Sequence, residues 1–442
     1  MSTPQRPVVV VGGGVSGLAA ASRLAEAGRR VLLLEAGPAL GGRARSFVDR
    51  TTGCAVDNGQ HALMGCYTEF LSLLDRVGQR HALTIGEPRI PFWSAAGGIR
   101  EFACPRLPAP LHFAAGLLRY GHLSIRERLS VAFAGRQWVT LSPGERTVAE
   151  QLDAMGQGAN ARSAFWDPVI WATLNASPEE SSAKLLQSVV KRALLGSYED
   201  SCFLLPTLPL SELYAEPAQK FIEERGGEVR CRIGVDAIER RGGELEVVAQ
   251  GEAIAAKAVV LAVPPAALAR MDPAPLRPSP ELQRATPIVS GTLWLDRSLD
   301  PEVPAFCGLI DCNTQWLFRV DRLHATNPTA SQPGERIACV RSGAREWTHM
   351  PRTEIAEQMW ADVQRAIPSA RQARVLNTLV VKEMAATLAP NPELQSHRPK
   401  AKTALPGVWL AGDWTDTGLP ATLEGAAQSG HVAAEHILAE AL

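Results

Sequence analysis

The chain has 442 residues, of which 46% are hydrophobic and 21% charged, enough to build two or three globular domains. The formal net charge is −1 and the basic residues are scattered, which argues against a nucleic-acid partner. The eight cysteines form no CxxC pair, and no long uninterrupted apolar run occurs, so we expect reduced thiols, a cytoplasmic location and no membrane-spanning segment.

The first recognisable pattern is a β-α-β unit in residues 8–35. Consecutive valines from Val8 to Val11 are typical of a parallel strand that is buried on both faces. Apolar residues at helical spacing follow up to Gly28, and a second apolar strand ends at Glu35. Glycines at G-x-G-x-x-G spacing lie between the first strand and the helix, which is the structural context that a dinucleotide site requires.

The glycines and the acid of this unit predict how a dinucleotide binds. Gly12 permits the tight turn out of the strand, Gly14 permits a pyrophosphate to approach the backbone, and Gly17 permits the helix to pack closely on the sheet. The N–H groups at the start of the helix favour phosphate, and Glu35 would accept hydrogen bonds from a ribose. The predicted nucleotide contacts are Gly12, Gly14, Val15, Ser16, Gly17, Glu35 and Ala36.

A second glycine turn follows this unit and leads into two arginines. Gly41 and Gly42 precede Arg43 and Arg45, and an arginine donates several hydrogen bonds in a fixed fork. The position after the β-α-β unit favours a phosphate clamp that includes Gly42 and Arg43. A solvated basic loop is the alternative.

The segment DNGQHALMGCY, residues 57–67, is rich in side chains that ordinary packing avoids. Asp57 and the two residues after it predict a turn. Gly59, Gln60 and His61 are predicted neighbours of the cofactor. A lone histidine is often structural, but His61 stands beside an acid and two amides, so it is also a catalytic candidate.

The stretch from residue 107 to residue 123 is apolar and begins with prolines, and Arg126, Arg128 and Arg136 follow it. One interpretation is an interfacial helix that lies on a membrane surface. The other is a core helix of a substrate domain with a solvated basic flank. The pattern slightly favours the core helix.

The C-terminal part again contains short, wholly apolar strands like those of the first unit. Residues 258–265 read AVVLAVPP, a buried strand ended by prolines. A later short strand ends before Gly412 and Asp413, and a helix starts near Thr422. Asp413 could accept hydrogen bonds from a polyol, and the helix N-terminus at Thr422 and Leu423 would favour negative charge, as on a reduced flavin.

Several motifs in this order resemble the FAD-dependent amine oxidase and phytoene desaturase superfamily: VVVVGGGVSGLAAA, GGRARSF, VDNGQHALMGCY, AVVLAVPP and LAGDWTDTGLPATLEGAAQSG. The third and fifth motifs together are most similar to its squalene-associated branch. The resemblance covers most of the chain and implies FAD as the cofactor. The predicted cofactor contacts also include Val235.

The fold expected for such a chain is α/β, with a Rossmann-type (GR2-like) FAD-binding domain and an inserted α+β substrate domain. We expect the FAD-binding domain to comprise residues 1–84, 226–270 and 400–442. Residues 85–225 and 271–399 are then expected to form the substrate domain, in which helices near residues 107–136 could face a membrane.

The resemblance also implies a reductive reaction. Similar enzymes use reduced FAD to replace the hydroxyl of hydroxysqualene with hydrogen, which gives squalene and water. An allylic alcohol ionises once its oxygen is protonated and the cation can then accept hydride, so the site needs an acid, a flavin and a cavity that excludes water. His61 is the candidate acid and Asp57 its orienting partner. The implied partners are an apolar isoprenoid substrate, the inner face of the cytoplasmic membrane and squalene-pathway enzymes.

Three other functions fit part of the pattern. A carotenoid or phytoene desaturase would also have an apolar substrate domain. A flavin amine oxidase would be expected to carry an aromatic pair at the flavin and often an attachment cysteine, whereas here only Trp414 follows Asp413. A non-catalytic flavoprotein that scaffolds isoprenoid synthesis would retain the same cofactor motifs, so catalytic turnover is what distinguishes it.

Overall fold

The computed structural model describes residues 6–271, 276–324 and 334–440. Its strands are β1 (Val8–Val11), β2 (Val31–Glu35), β3 (Ser46–Val48), β4 (Ala55–Asp57), β5 (Leu63–Met64), β6 (Leu83–Ile85), β7 (Arg89–Ser94), β8 (Gly98–Ala103), β9 (Phe203–Pro206), β10 (Glu228–Cys231), β11 (Val235–Arg241), β12 (Glu244–Ala249), β13 (Glu252–Ala256), β14 (Ala258–Leu261), β15 (Ala285–Leu295), β16 (Phe306–Leu309), β17 (Trp316–Arg319), β18 (Glu335–Ser342), β19 (Val375–Leu388) and β20 (Val408–Leu410). Its α-helices are α1 (Val15–Glu26), α2 (Thr68–Arg76), α3 (Leu111–Arg119), α4 (Ile125–Thr140), α5 (Val148–Ala154), α6 (Ala159–Ala161), α7 (Asp167–Leu174), α8 (Ala183–Val189), α9 (Glu216–Glu223), α10 (Pro265–Leu268), α11 (Val320–Leu323), α12 (Arg352–Ala366) and α13 (Leu423–Ala439).

A parallel sheet with the strand order β10-β2-β1-β14-β20 is the framework of the site. Every residue of β1 is apolar and buried, as its run of valines predicts. Val8 and Val10 share a core with α1, α2, α9 and α13. Val9 and Val11 share a core with the antiparallel sheet β11-β12-β13. Alternate side chains of β1 therefore join the two layers that enclose the parallel sheet.

Two glycines explain how closely α1 approaches its neighbours. A Cβ at Gly17 would lie 1.9 Å from the carbonyl oxygen of Gly12, and a Cβ at Gly430 in α13 would lie 2.1 Å from the carbonyl oxygen of Ser16. Only glycine fits at these contacts. α1 is consequently held between β1 and α13, with its N-terminus at the carboxyl end of β1.

A second, larger sheet has the strand order β19-β15-β18-β17-β16-β7-β8. Its core includes Ile355, Met359 and Val363 of α12. The helices α3 to α8 form a separate apolar core, which also takes in Phe92 of β7 and Phe102 of β8. In the part of the chain that the structure describes, no helix is long and apolar enough to cross a membrane.

The packing differs from the expected domains at more than one place. Leu282, Leu388 and Leu394 of the expected substrate domain share a core with Val9 and Val11 of β1. The sequence predicts that residues 85–225 belong to the substrate domain, but Leu213, Tyr214 and Ile222 share the core of α1 and the parallel sheet. These side chains lie on a π-helical turn (Ser211–Ala215) that continues into α9. Helical periodicity shows which side of a helix is buried but not which core it packs into. The domain to which α9 belongs could therefore not be predicted from its own sequence. Residues 272–275 and 325–333 of the expected substrate domain lie outside the described residues.

Candidate active site

A cavity of about 860 Å³ lies where the carboxyl ends of β1 and β2 face the larger sheet. Ligands of doubly wound sheets bind at this edge of the strands, and cofactor and substrate sites typically have volumes of this order. One wall comes from the parallel sheet and α1, and the other from β15, β18, β19 and α7. The cavity can therefore hold a cofactor on one side and a second reactant on the other.

Most of the predicted cofactor residues line this cavity. Gln60 and Gly17 do not line it. Gly17 lies behind the glycine turn, where the absence of a side chain lets α1 approach Gly12. The predicted residues that line the cavity are Gly12, Gly14, Val15, Ser16, Glu35, Ala36, Gly42, Arg43, Gly59, His61, Val235, Gly412, Asp413, Thr422 and Leu423.

Backbone geometry shapes the end of the cavity at the glycine turn. Gly12 has a φ of +105°, and a Cβ there would lie 2.5 Å from the carbonyl oxygen of Ala262. Gly14 has a φ of −77°, and the nearest atom to a Cβ there is 4.0 Å away, so its hydrogen faces open space. No side chain caps the N-terminus of α1, which leaves its first N–H groups available to a phosphate.

Glu35 is held at the end of β2 by two backbone donors. The N–H groups of Gly13 and Gly37 each donate to its carboxylate over 2.6 Å. Each carboxylate oxygen retains a further lone pair, so the group can still accept hydrogen bonds from a ribose. This fixed orientation is compatible with the role that the sequence predicts for Glu35.

Arg43 connects three segments around the cavity. Its guanidinium donates to Asp413 Oδ1 over 2.6 Å and to the carbonyl oxygen of Ala386 over 3.1 Å. The Asp413 carboxylate raises the pKa of Arg43, so the arginine stays charged. The sequence predicts Arg43 and Asp413 as separate cofactor contacts, and the structure brings them into direct contact across 370 positions.

Asp57 does not orient His61, contrary to the sequence prediction. Its carboxylate accepts hydrogen bonds from Ser46 Oγ over 2.6 Å and from the N–H of Leu210 over 3.0 Å. It does not line the cavity, and burial raises its pKa to about 6. Asp57 therefore joins the β3-β4 hairpin to the segment that precedes α9, because the fold turns its side chain away from the loop that carries His61.

His61 lines the cavity, but with a backbone partner instead of an acid. Its Nδ1 lies 2.8 Å from the carbonyl oxygen of Gly59. A carbonyl oxygen can only accept, so Nδ1 carries the proton and Nε2 is the acceptor of a neutral ring. Burial lowers the pKa of His61, which favours this neutral form at pH 7.

The sequence reasoning misses a row of residues on the opposite wall. β15 lies between β18 and β19, and its Ile288 is paired with Ser342 on one side and with Glu383 on the other. All three line the cavity. The side chain of Glu383 makes no hydrogen bond to another described residue, although its charge acts on Arg43. No local signal marks Glu383, because the strand register that places it arises only in the folded sheet.

The groups around the cavity fit a flavin dinucleotide. The uncapped start of α1 suits a pyrophosphate, and Glu35 suits a ribose. At the far end α13 begins at Leu423, where the Thr422 side chain accepts from the N–H of Gly425. This helix presents its positive end to the cavity, where an anionic reduced flavin would be stabilised. Groups suited to the two ends of FAD thus lie along one cavity, at the end of β2 and at the start of α13.

The parallel sheet, the glycine turn and the two-walled cavity define the class of a flavin-dependent oxidoreductase. The family described as flavin containing amine oxidoreductase matches residues 15–438 of the chain. The chain therefore belongs to this family, and the match confirms the flavin cofactor, FAD, that the sequence predicts.

Individual relatives are more specific. The chain is 31% identical over 450 residues to a hydroxysqualene dehydroxylase of Rhodopseudomonas palustris, with 98% of this chain and 99% of the relative covered. It is 25% identical to a 15-cis-phytoene desaturase of Narcissus pseudonarcissus, over 98% of this chain and 79% of the relative. The solved structure of an oxidoreductase from Methanosarcina mazei has a TM-score of 0.73 at 16% identity, with 97% of this chain and 100% of the other covered. The structural likeness concerns the fold alone, and it confirms the predicted α/β architecture.

Proposed function

We propose that this flavoprotein reductively removes the hydroxyl of hydroxysqualene and releases squalene and water. The observation that carries the proposal is the similarity to a hydroxysqualene dehydroxylase along nearly the whole of both chains. The similarity to a phytoene desaturase is lower and covers 79% of that protein, which favours the reductive function over desaturation.

The proposed reaction divides its requirements between the cofactor and the residues of the cavity. Reduced FAD, when bound, supplies a hydride. The chain's own residues must protonate the leaving hydroxyl, orient the allylic carbon and exclude water from the cation. Proton transfer to the hydroxyl breaks the C–O bond and releases water, and the hydride forms the new C–H bond, so the substrate carbon gains two electrons. Ala172 and Ile288 give the second wall an apolar surface against which a hydrocarbon can lie.

Two side chains of the cavity are the proposed proton sources, His61 and Glu383. His61 is neutral near pH 7 because burial lowers its pKa, so it must first take up a proton. The side chain of Glu383 makes no hydrogen bond to another described residue, so it is available to a substrate hydroxyl. As a carboxylate whose charge acts on Arg43, it too must first take up a proton. Tyr67 also lines the cavity, but burial strongly raises its pKa, which makes it a poor acid.

A single-turnover experiment tests the reaction. The purified protein is reduced without oxygen, hydroxysqualene is added, and flavin reoxidation is followed together with the product. We expect squalene to form at the rate of flavin reoxidation. Absence of squalene, combined with desaturation of phytoene by the oxidised protein, would favour the desaturase. FAD binding without either reaction would favour the non-catalytic scaffold.

Variants identify the proton source. A general acid typically contributes roughly 10²- to 10⁴-fold in rate, so either Glu383→Gln or His61→Gln should lower the single-turnover rate by about that factor while FAD binding is retained. Asp57→Asn is the matched control, since Asp57 does not line the cavity, and its rate should equal that of the wild type. Wild-type rates in all three variants would contradict both assignments.

We also propose that the protein works in the cytoplasm, at the inner face of the cytoplasmic membrane and in contact with other enzymes of squalene synthesis. The proposed substrate and product are hydrocarbons that partition into lipid, which supports this location. After gentle lysis, the protein should sediment with membranes and should be released by high salt. Recovery only in the supernatant, with no crosslink to a squalene-pathway enzyme, would contradict this part of the proposal.

A further inference from the structure

Exposed apolar side chains are concentrated in one stretch of the helical layer, which comprises α3, α4 and the residues that flank them. Of the thirteen large apolar residues that are exposed in the described chain, eight lie within residues 107–141. Single exposed apolar residues are ordinary, but a contiguous group marks an interaction site. We call this group the α3–α4 surface; it consists of Leu107, Leu111, Leu118, Ile125, Leu129, Phe133, Val139 and Leu141.

α4 is apolar on two opposite sides. Val131 and Trp138 on its inner side are fully buried in the helical core. Ile125, Leu129 and Phe133 follow at intervals of four residues on its outer side, where they are 58%, 57% and 60% exposed. The helix starts at a complete capping box, so the outer stripe is part of a well-formed helix. Core packing accounts for the inner side only.

The charges on this surface are strongly biased. Residues 105–144 contain five arginines, no lysine and a single acid, Glu127, whereas the whole chain has a net charge of −1. The Glu127 carboxylate is occupied, because it accepts from Ser124 and from Asn160. Arg126 and Arg136 are exposed on α4. Neither arginine forms an ion pair with another described residue, so two unpaired cations accompany the apolar stripe.

The same helical layer reaches the cavity. Ile170 and Leu174 of α7 share the core that holds the inner side of α4. Ala172 and Thr173, which lie between these two residues in α7, line the cavity. One side of this layer is thus the α3–α4 surface, and another side is a wall of the cavity.

We propose that the α3–α4 surface docks onto an anionic lipid bilayer. Leu129 and Phe133 enter the boundary between headgroups and acyl chains, and Arg126 and Arg136 bind the lipid phosphates, as in interfacial helices with one apolar and one basic side. A second copy of this chain is a poor occupant, because a two-fold contact would bring two sets of arginines together. The proposal concerns a surface away from the chemistry and does not depend on the proposed reaction.

Flotation of the FAD-bound protein with vesicles tests the proposal without any turnover. The vesicles contain either phosphatidylcholine alone or phosphatidylcholine with phosphatidylglycerol. We expect the wild type to float with the anionic vesicles at low salt. Leu129→Ser with Phe133→Ser should lower the partition coefficient by at least about tenfold. Arg126→Gln with Arg136→Gln should lower binding to anionic vesicles by roughly fivefold for each charge removed.

A matched control separates the surface from general hydrophobicity. Ile85→Ser with Leu376→Ser replaces residues that are 70% and 58% exposed on other elements, and it should bind like the wild type. Equal binding by all variants, or no wild-type binding to either vesicle, would overturn the proposal. A wild-type dimer that the Leu129 and Phe133 changes convert to a monomer, without vesicle binding, would assign the surface to a second copy instead. Retained FAD absorbance and an unchanged melting temperature verify that each variant is folded.

Discussion

At the scale of single residues, two glycines of one motif have different physical tasks. A Cβ at Gly17 would overlap the carbonyl oxygen of Gly12 at 1.9 Å. At Gly14 the nearest atom to a Cβ is 4.0 Å away, and the φ of −77° is one that any residue adopts. Gly17 is therefore needed by the fold, whereas Gly14 is needed by the ligand that approaches it.

Alanine at each position separates these tasks. Gly17→Ala should destabilise the FAD-free protein by about 3 kcal/mol, because overpacking against backbone forces the helix away from the sheet. Gly14→Ala should leave the melting temperature of the FAD-free protein unchanged and weaken FAD binding by about tenfold or more, because its methyl group enters the cavity. Thermal unfolding and fluorescence titration with FAD measure the two effects. Equal losses of stability in both variants would contradict the assignment of Gly17 to the fold and of Gly14 to the ligand.

Asp57 gives a prediction of pH dependence. Burial raises its pKa from 3.8 to about 6, so between these pH values the native state holds more protons than the unfolded state. The free energy of unfolding should then fall as pH rises through this window, by up to about 3 kcal/mol.

Asp57→Asn keeps an acceptor for Ser46 and Leu210 and removes the titration. Urea unfolding from pH 4 to pH 7 should show the wild type losing stability relative to Asp57→Asn up to about pH 6, and a constant difference above it. Parallel stability curves at every pH would mean that Asp57 titrates as in the unfolded chain.

How much of the site could be predicted depends on the range of the interactions involved. The roles proposed for Gly12 and Glu35 follow from two strands, one turn and one helix that are adjacent in sequence, so the local sequence contains the whole argument. Closeness in sequence predicts that Asp57 orients His61, and this prediction is wrong, because Asp57 accepts from the N–H of Leu210 instead. Partners 153 positions apart leave no local signal.

At the scale of elements, α13 supplies the cap that α2 lacks. No side chain of its own caps α2. Glu424, which is 2% exposed, accepts hydrogen bonds from the N–H groups of Glu69 and Phe70 over 3.0 Å each. Arg192 donates to the same carboxylate. Because α13 starts at the cavity one residue earlier, this contact also fixes the far end of the cofactor site.

Two glutamates of α13 provide a test with an internal control. Glu424→Ala should cost about 3 kcal/mol of stability, because it leaves two buried N–H groups without their acceptor and Arg192 without its ion partner. It should also weaken FAD binding. Glu435→Ala removes an exposed pair with Arg23 and should change stability by less than about 0.5 kcal/mol. Chemical unfolding of both FAD-free variants is the measurement. A small effect at Glu424 would remove the argument that α13 positions α2.

Strand register is the other element-scale feature that the sequence does not contain. The β-α-β unit could be predicted because the apolar residues of its strands and of its helix follow different spacings in adjacent stretches of sequence. The row formed by Ser342, Ile288 and Glu383 depends instead on how three strands align. A slip by one residue would turn Glu383 to the opposite face, so its place in the cavity follows only from the assembled sheet.

At the scale of the whole molecule, the cavity exists because distant segments converge on it. Arg43 follows β2, Asp413 follows β20, and Ala386 belongs to β19 of the larger sheet. The guanidinium of Arg43 binds both of the others. This residue therefore joins the parallel sheet to the larger sheet in addition to its predicted role toward the cofactor.

A double-mutant cycle on Arg43 and Asp413 measures that connection. Arg43→Met should cost about 2 kcal/mol of stability, because it leaves the carboxylate of Asp413, which is 5% exposed, without its ion partner. Asp413→Asn should cost less, since the Arg43 side chain is 35% exposed and water can solvate it. The double variant should be more stable than the sum of the single losses implies, with a coupling of about 1 to 2 kcal/mol. Urea unfolding of the four FAD-free proteins gives the coupling, and FAD titration of the same set gives its effect on the cofactor. Losses that add within about 0.3 kcal/mol would mean that the pair does not hold the two walls together, and that Arg43 acts on the cofactor alone.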